Sequence, residues 1–273
     1  MNYKKLKLKQ MSNKTDVTVI LPVHELTDST KPLFDIAIQS INEQTVAPDK
    51  VLIVTPKGSE TYKYISTYDF GKNKKIFEVL ENDGETDFCN QINFGVSKVK
   101  TTFLSILEYD DEYAKIWFKN VVEYKDAYPE MDIFLPIIAD VDGKGHFVGT
   151  TNEAVWAYRF SDEMGILDTN ALLSYQNFNI DGMVIKKSLF DDFGGFKPSI
   201  KLTFIYEFLL RMTYNDAKVM TIPKFGYKHT NMREGSLFHS YTNELDPVES
   251  KWWLAQAKKE YYWPEDREIT YND

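Results

Sequence analysis

Four short runs in the first 110 residues are predominantly apolar, with at most one polar residue in each. They are Val17-Thr18-Val19-Ile20-Leu21, which stops at Pro22, then Val51–Val54, Ile76–Leu80 and Phe103–Leu107. A strand that faces solvent on one side alternates polar and apolar residues, whereas a predominantly apolar run suits a strand covered on both faces, as in a parallel sheet. Between the runs lie segments with helical spacing. Residues 33–43 place Leu33, Phe34, Ile36, Ile38 and Ile41 for burial, Tyr62 to Phe70 suggests a short helix, and Phe88 to Lys100 a longer one. Strand and helix in alternation predict an α/β fold with right-handed crossovers. Ligands of open α/β sheets bind beyond the carboxyl ends of the strands. Pro22-Val23-His24-Glu25 falls at the first such end and Glu108-Tyr109-Asp110-Asp111 at the fourth.

The second half is less regular. Met131 to Ala139 is apolar, residues 140–145 form a turn cluster, and Met183-Val184-Ile185 is a short strand. A short helix over Ser188–Phe193 closes at Gly194-Gly195, Phe204–Tyr214 forms a helix carrying Arg211, and Lys218–Ile222 forms a strand. Residues 247–262 form a helix after Asp246-Pro247, with Trp252, Trp253, Leu254 and Ala257 available for packing. The aromatic-rich tail to Tyr271 is expected to dock on the domain, the alternatives being a subunit contact or a sugar-stacking platform.

Charge and composition exclude several classes. A net charge of −9 lacks the positive field of proteins that bind nucleic-acid polymers. No apolar run reaches the roughly 18 residues of a membrane span. The opening residues, with five lysines in the first fourteen, have no apolar core and so do not form a secretory signal. They suggest a frayed arm, or a weak contact with an anionic membrane surface. Cys89 is the single cysteine and has no disulfide partner in the chain, which favours a reducing, cytoplasmic location.

Three acids at one strand tip repel one another, and a divalent cation, basic side chains or solvent must offset that repulsion. Mg²⁺ and Mn²⁺ favour carboxylate oxygen and typically combine one or two carboxylates with substrate phosphates.

Five segments resemble the family 2 glycosyltransferases of GT-A fold. VTVILPVHE resembles their opening strand and P-x-[YH]-[NE] turn, and IAIQSINEQT (Ile36 to Thr45) the helix that follows. Asn93-Phe94-Gly95-Val96 resembles the N-x-G-[IV] helix segment, and Glu108-Tyr109-Asp110-Asp111 stands where the family has D-x-D-D. MVIKKSLFDDFGGF resembles the later strand, helix and G-G-F turn of the acceptor side. The resemblance implies a mostly parallel central sheet flanked by helices, with a C-terminal helical and aromatic tail. It divides the chain into a basic arm (1–15), a transferase domain (16–236, split at 111 into nucleotide-sugar and acceptor halves) and a tail (237–273).

The resemblance also implies an activity: transfer of a sugar from a nucleotide-diphosphate sugar to a glycan or other hydroxyl acceptor, with inversion and with a divalent metal, Mn²⁺ or Mg²⁺. Asp110 and Asp111 would hold the metal, with His229 as a further ligand or a structural histidine. Pro22, His24, Glu25, Thr55, Gly84, Asn93 and Glu108 would form the donor site, and Arg233 and Ser236 would clamp the diphosphate.

The sequence departs from the family pattern at two places. The second strand of the family ends in Asp residues that recognise the base, whereas here Thr55-Pro56 follows Val54. The family's general base is the Asp of an E-D pair six residues before a helical Arg. Counting back from Arg211 reaches Phe204-Ile205, neither of which accepts a proton. Glu207 and Asp181 are the remaining candidates for the base, with Glu207 alternatively an i,i+4 partner of Arg211. The departures also allow a lapsed transferase that binds nucleotide sugar or glycan without transfer.

Overall fold

The computed structural model describes residues 14–230 and 246–269. The chain begins with β1 (Val17–Pro22), α1 (Lys31–Asn42), β2 (Lys50–Pro56), α2 (Glu60–Ser66), β3 (Phe77–Asn82), α3 (Phe88–Lys98) and β4 (Phe103–Ile106). It continues through β5 (Glu112–Tyr113), α4 (Trp117–Ala127), β6 (Ile133–Val141), β7 (Phe147–Thr151), β8 (Ile166–Leu167), α5 (Thr169–Ser174) and β9 (Val184–Lys186). It ends with α6 (Lys187–Phe193), α7 (Phe204–Tyr214), β10 (Val219–Thr230) and a C-terminal helix, α8 (Pro247–Glu260).

One sheet runs through the molecule in the order β3-β2-β1-β4-β9-β6-β10-β5, with β7 beside β6 and β8 beside β10. The long pairings, β3-β2-β1-β4 and β6-β10, are parallel. The short β9 joins these two parallel blocks by pairing antiparallel to both β4 and β6. β1 is buried at every position, as its predominantly apolar run predicts. Its two faces feed separate cores: Ile20 packs with α3 residues Ile92 and Val96, while Val19 and Leu21 pack with α1 residues Phe34, Ile38 and Ile41. Gly95 lets α3 approach the sheet closely, since a Cβ there would lie 2.7 Å from Ile20 Cγ2 and 3.2 Å from Val54 Cγ2.

Two features depart from the sequence expectations. β10 runs on to Thr230 although Pro223 and Gly226 lie in its path, because register shifts at Ile222/Phe225 and Phe225/Tyr227 absorb both residues without ending the pairing to β6. The helix α4 was not anticipated, though Trp117, Phe118, Val121 and Val122 give it one buried face.

Thr15 at the end of the expected arm is 1% exposed, and its Oγ1 donates to Ala47 O and Asp49 Oδ1, so the ordered domain begins before β1. The tail docks as a helix. Trp253, Ala257 and Tyr261 of the tail are buried, Thr203 Oγ1 donates to Trp253 O, and Tyr214 packs edge-on against Tyr261. No helix among the described residues is long and apolar enough to cross a membrane.

Candidate active site

The site lies where the first parallel block meets β10. Asp111 follows β4 and is 1% exposed. Both of its carboxylate oxygens are bound by residues from the end of β10: the Thr230 backbone N–H donates to Oδ1 at 2.8 Å, and His229 Nδ1 lies 3.0 Å from Oδ2. Thr230 Oγ1 also donates to the Asp110 carbonyl at 3.1 Å. Asp181 approaches from the segment before β9, with its Oδ2 3.6 Å from His229 Nδ1. One ligand atom each from Asp111, Asp181 and His229 lie within 4.8 Å of one another.

Asp181 is placed by an asparagine ladder. Asn152, held in the left-handed region at φ 76°, accepts the Asn179 N–H on its Oδ1 and donates from Nδ2 to the carbonyls of Pro136 and Asn179. Asn179 Nδ2 in turn donates to Asp181 Oδ2. The next residue, Gly182, also has positive φ, and its carbonyl accepts the indole N–H of the fully buried Trp117 at 2.9 Å. Tyr227 closes the floor of the site, its hydroxyl accepting the Glu108 N–H at 3.1 Å.

The electrostatics follow from this crowding. Burial and the neighbouring carboxylates of Asp181, Asp111 and Asp110 push Glu108 well above the usual carboxylate range. Burial raises Asp181 to about 7 against the opposing pull of His229. Burial alone would depress His229, but the hydrogen bond and charge of Asp111, with the charge of Asp181, raise it to about 11. Two buried carboxylates beside one imidazole, with the acids Glu108 and Asp110 next to them, form a hard set of oxygen and nitrogen donors. Mn²⁺ and Mg²⁺ prefer such ligands, and the donor set fits a divalent cation.

The other predicted residues divide between the crevice and the scaffold. Asp110 lies beside the trio of ligand atoms rather than within it, close enough for its charge to raise Glu108 and Asp181. Pro22 ends β1, His24 Nδ1 lies 3.1 Å from Thr86 O across the crevice mouth, Glu25 is exposed, and the Gly84 N–H donates to Asn82 Oδ1. Thr55 is fully buried and gives its hydroxyl to Leu80 O, a bond internal to the sheet. Asn93 clasps Phe196, donating to its carbonyl and accepting its N–H, and so ties α3 to the turn after Gly194-Gly195. Arg233 and Ser236 lie outside the described residues.

Glu207 stands outside the trio of ligand atoms, and its carboxylate is held by the i,i+4 partner that the sequence offered as the alternative to a base. It is fully buried, and both its oxygens are bound by Arg211, at 2.8 Å from Nε and 3.0 Å from Nη2, with Lys197 Nζ 2.9 Å from Oε1. Arg211 uses its remaining donors on the carbonyls of Phe193, Gly194 and Gly195. A carboxylate with both oxygens engaged by buried cations is poorly placed to reach a substrate proton. The sequence carried this signal in the i,i+4 spacing of Glu207 and Arg211. What it did not carry was the joining of Asp181 to Asp111 and His229, two residues 118 positions apart that the family resemblance already implied as ligands of one metal.

This sheet order, with an acid- and histidine-lined crevice at the carboxyl ends of the strands, is a GT-A-type fold. Residues 18–192, more than half of the chain, match the family described as Glycosyl transferase family 2, and the chain belongs to that family. Solved structures of TarS from S. aureus share the fold. The form comprising residues 1-349 in complex with UDP-GlcNAc superposes with a TM-score of 0.62 at 15% identity, covering 89% of this chain and 71% of that one. Its complex with UDP gives 0.59 at 15% identity, with 89% and 70% covered. A longer TarS structure gives 0.56 at 16% identity, and there this chain spans 42% of the other's length. A sequence search of curated proteins finds no match.

Proposed function

We propose that this protein transfers a sugar from a nucleoside-diphosphate sugar to a hydroxyl acceptor, with inversion at the anomeric carbon, and that Asp111, Asp181 and His229 hold a divalent cation. The observation that carries this reading is the convergence of those three side chains at the carboxyl ends of the strands. A cation there would offset the negative charge that develops on the leaving diphosphate. The protein's own part is to hold the ligands still: Thr230 and His229 fix Asp111, and Asn179 fixes Asp181. The UDP and UDP-GlcNAc bound in the TarS structures make UDP-sugars the first donors to test.

The burial of Glu207 favours a second reading, in which nucleotide sugar is bound but not transferred. Of the two acids expected to deprotonate the acceptor, Glu207 is enclosed by Arg211 and Lys197, and Asp181 belongs to the cation-binding trio. Donor consumption and donor binding, both measured with UDP-sugars in Mn²⁺, separate the two. Turnover that is lost on chelation and in Asp111→Ala supports transfer, and binding without turnover supports the second reading. Absence of both binding and turnover refutes both readings, and turnover unchanged in Asp111→Ala refutes the metal role.

A further inference from the structure

Gln91 is 1% exposed, and neither its amide nitrogen nor its amide oxygen has a hydrogen-bond partner among the described residues. An orphaned buried polar atom costs on the order of 1–3 kcal/mol, and native proteins rarely carry one without a reason. Here one side chain carries both a donor and an acceptor in that state.

Its position suggests the reason. α3 starts at the carboxyl-end side of the sheet and packs on β1 and β2. Gly95 of this helix rests on Ile20 and Val54. Gln91 lies four residues earlier, one turn nearer the carboxyl ends on the same face of the helix. Two residues further along each strand are Pro22 and Pro56, which by alternation share the face of Ile20 and Val54. The amide of Gln91 is therefore set at the tips of β1 and β2, at the floor of the crevice in which a nucleotide would lie. Thr55, which by alternation faces the other side of the sheet, gives its hydroxyl to the Leu80 carbonyl.

We infer that Gln91 anchors the nucleobase of the donor, an inference that rests on the proposed nucleotide-sugar reading. A primary amide presents an N–H and a C=O side by side, and every nucleobase has an edge that pairs with this arrangement through two hydrogen bonds. A base edge meeting Gln91 would satisfy both orphaned atoms at once. Its path lies between the segment after β1 and the loop 83–86, which are joined by the solvent-exposed contact of His24 Nδ1 with the Thr86 carbonyl at 3.1 Å. Parting that contact exchanges one exposed hydrogen bond for two buried ones.

The test is a binding panel of UDP, CDP, GDP, ADP, dTDP and inorganic pyrophosphate in Mn²⁺, on the full chain and on Gln91→Leu, with Gln91→Met as an unbranched alternative should the first variant not fold. Removing an orphaned amide in favour of an apolar side chain should not lower the melting temperature. The wild type is expected to bind nucleoside diphosphates more tightly than pyrophosphate, and the variant to lose roughly 10- to 100-fold for them while pyrophosphate binding is unchanged. A variant that keeps the wild-type nucleotide affinity overturns the inference, as does a variant that loses pyrophosphate and nucleotides together. A wild type that binds pyrophosphate as tightly as every nucleotide overturns the inference alone. A wild type that binds nothing in the panel overturns the nucleotide-sugar reading as well.

Discussion

Gly182 and Tyr227 pack so closely that a Cβ on Gly182 would lie 2.5 Å from Tyr227 Cδ2, and Gly182 has φ +71°. The residue beside Asp181 is thus constrained twice, by a backbone conformation that L side chains rarely adopt and by the ring that forms the floor of the site. Gly182→Ala is expected to destabilise the protein by about 2–4 kcal/mol and to weaken Mn²⁺ binding through displacement of Asp181. Chemical denaturation and a Mn²⁺ titration check the two effects. A variant with wild-type stability would show that the segment relaxes freely.

Tyr227→Phe keeps the ring but removes the acceptor for the Glu108 N–H. A loss of about 1–2 kcal/mol is expected, with the fold retained. The denaturation midpoint measures it.

The metal-free protein should lose stability as pH rises. His229 is raised to about 11 in the folded state, so its contribution is complete below the ordinary histidine value and declines as pH climbs toward 11. Asp181 is raised to about 7, so the stability linked to its protonation is present below the ordinary aspartate value and lost as pH rises through 7. Both groups act with the same sign between pH 5 and 9. Melting curves with EDTA should fall across that range and flatten when Mn²⁺ is added. Mn²⁺ affinity should itself rise with pH, because binding to His229 displaces a proton. A melting temperature that climbs with pH in EDTA would refute this account.

Glu207→Gln leaves Lys197 and Arg211 as buried cations without their shared carboxylate. Breaking such a network costs about 3–5 kcal/mol. The folded fraction should keep its turnover per molecule, since Glu207 lies apart from the Asp111–Asp181–His229 trio. Full stability combined with abolished turnover would restore Glu207 as the base.

Deleting residues 246–273 removes Trp253, Ala257 and Tyr261 from the core, along with the Glu260 carbonyl that accepts from Lys197 Nζ at 2.7 Å. Loss of three buried apolar side chains and a buried charge partner should cost several kcal/mol. A truncated chain with unchanged melting would show that the tail only rests on the domain.

The amino-acid sequence by itself determined the first parallel block. Predominantly apolar runs at Val17–Leu21, Val51–Val54 and Phe103–Leu107 suit strands covered on both faces, and the helical spacing between them supplies the cover. The acidic tip after the fourth run was legible for the same reason, since its place follows from the strand before it. The i,i+4 spacing of Glu207 and Arg211 likewise announced their pairing, because a helix makes neighbours of residues that close in sequence. Tertiary structure alone decided which acids meet. Asp181 reaches Asp111 because β9 runs antiparallel between two parallel blocks, and His229 reaches it because bulges carry β10 past Pro223 and Gly226. Strand order and bulges are set by packing across the whole sheet, which local residue patterns do not encode. The burial of Gln91 was hidden for the same reason: an amide is orphaned only with respect to everything that surrounds it.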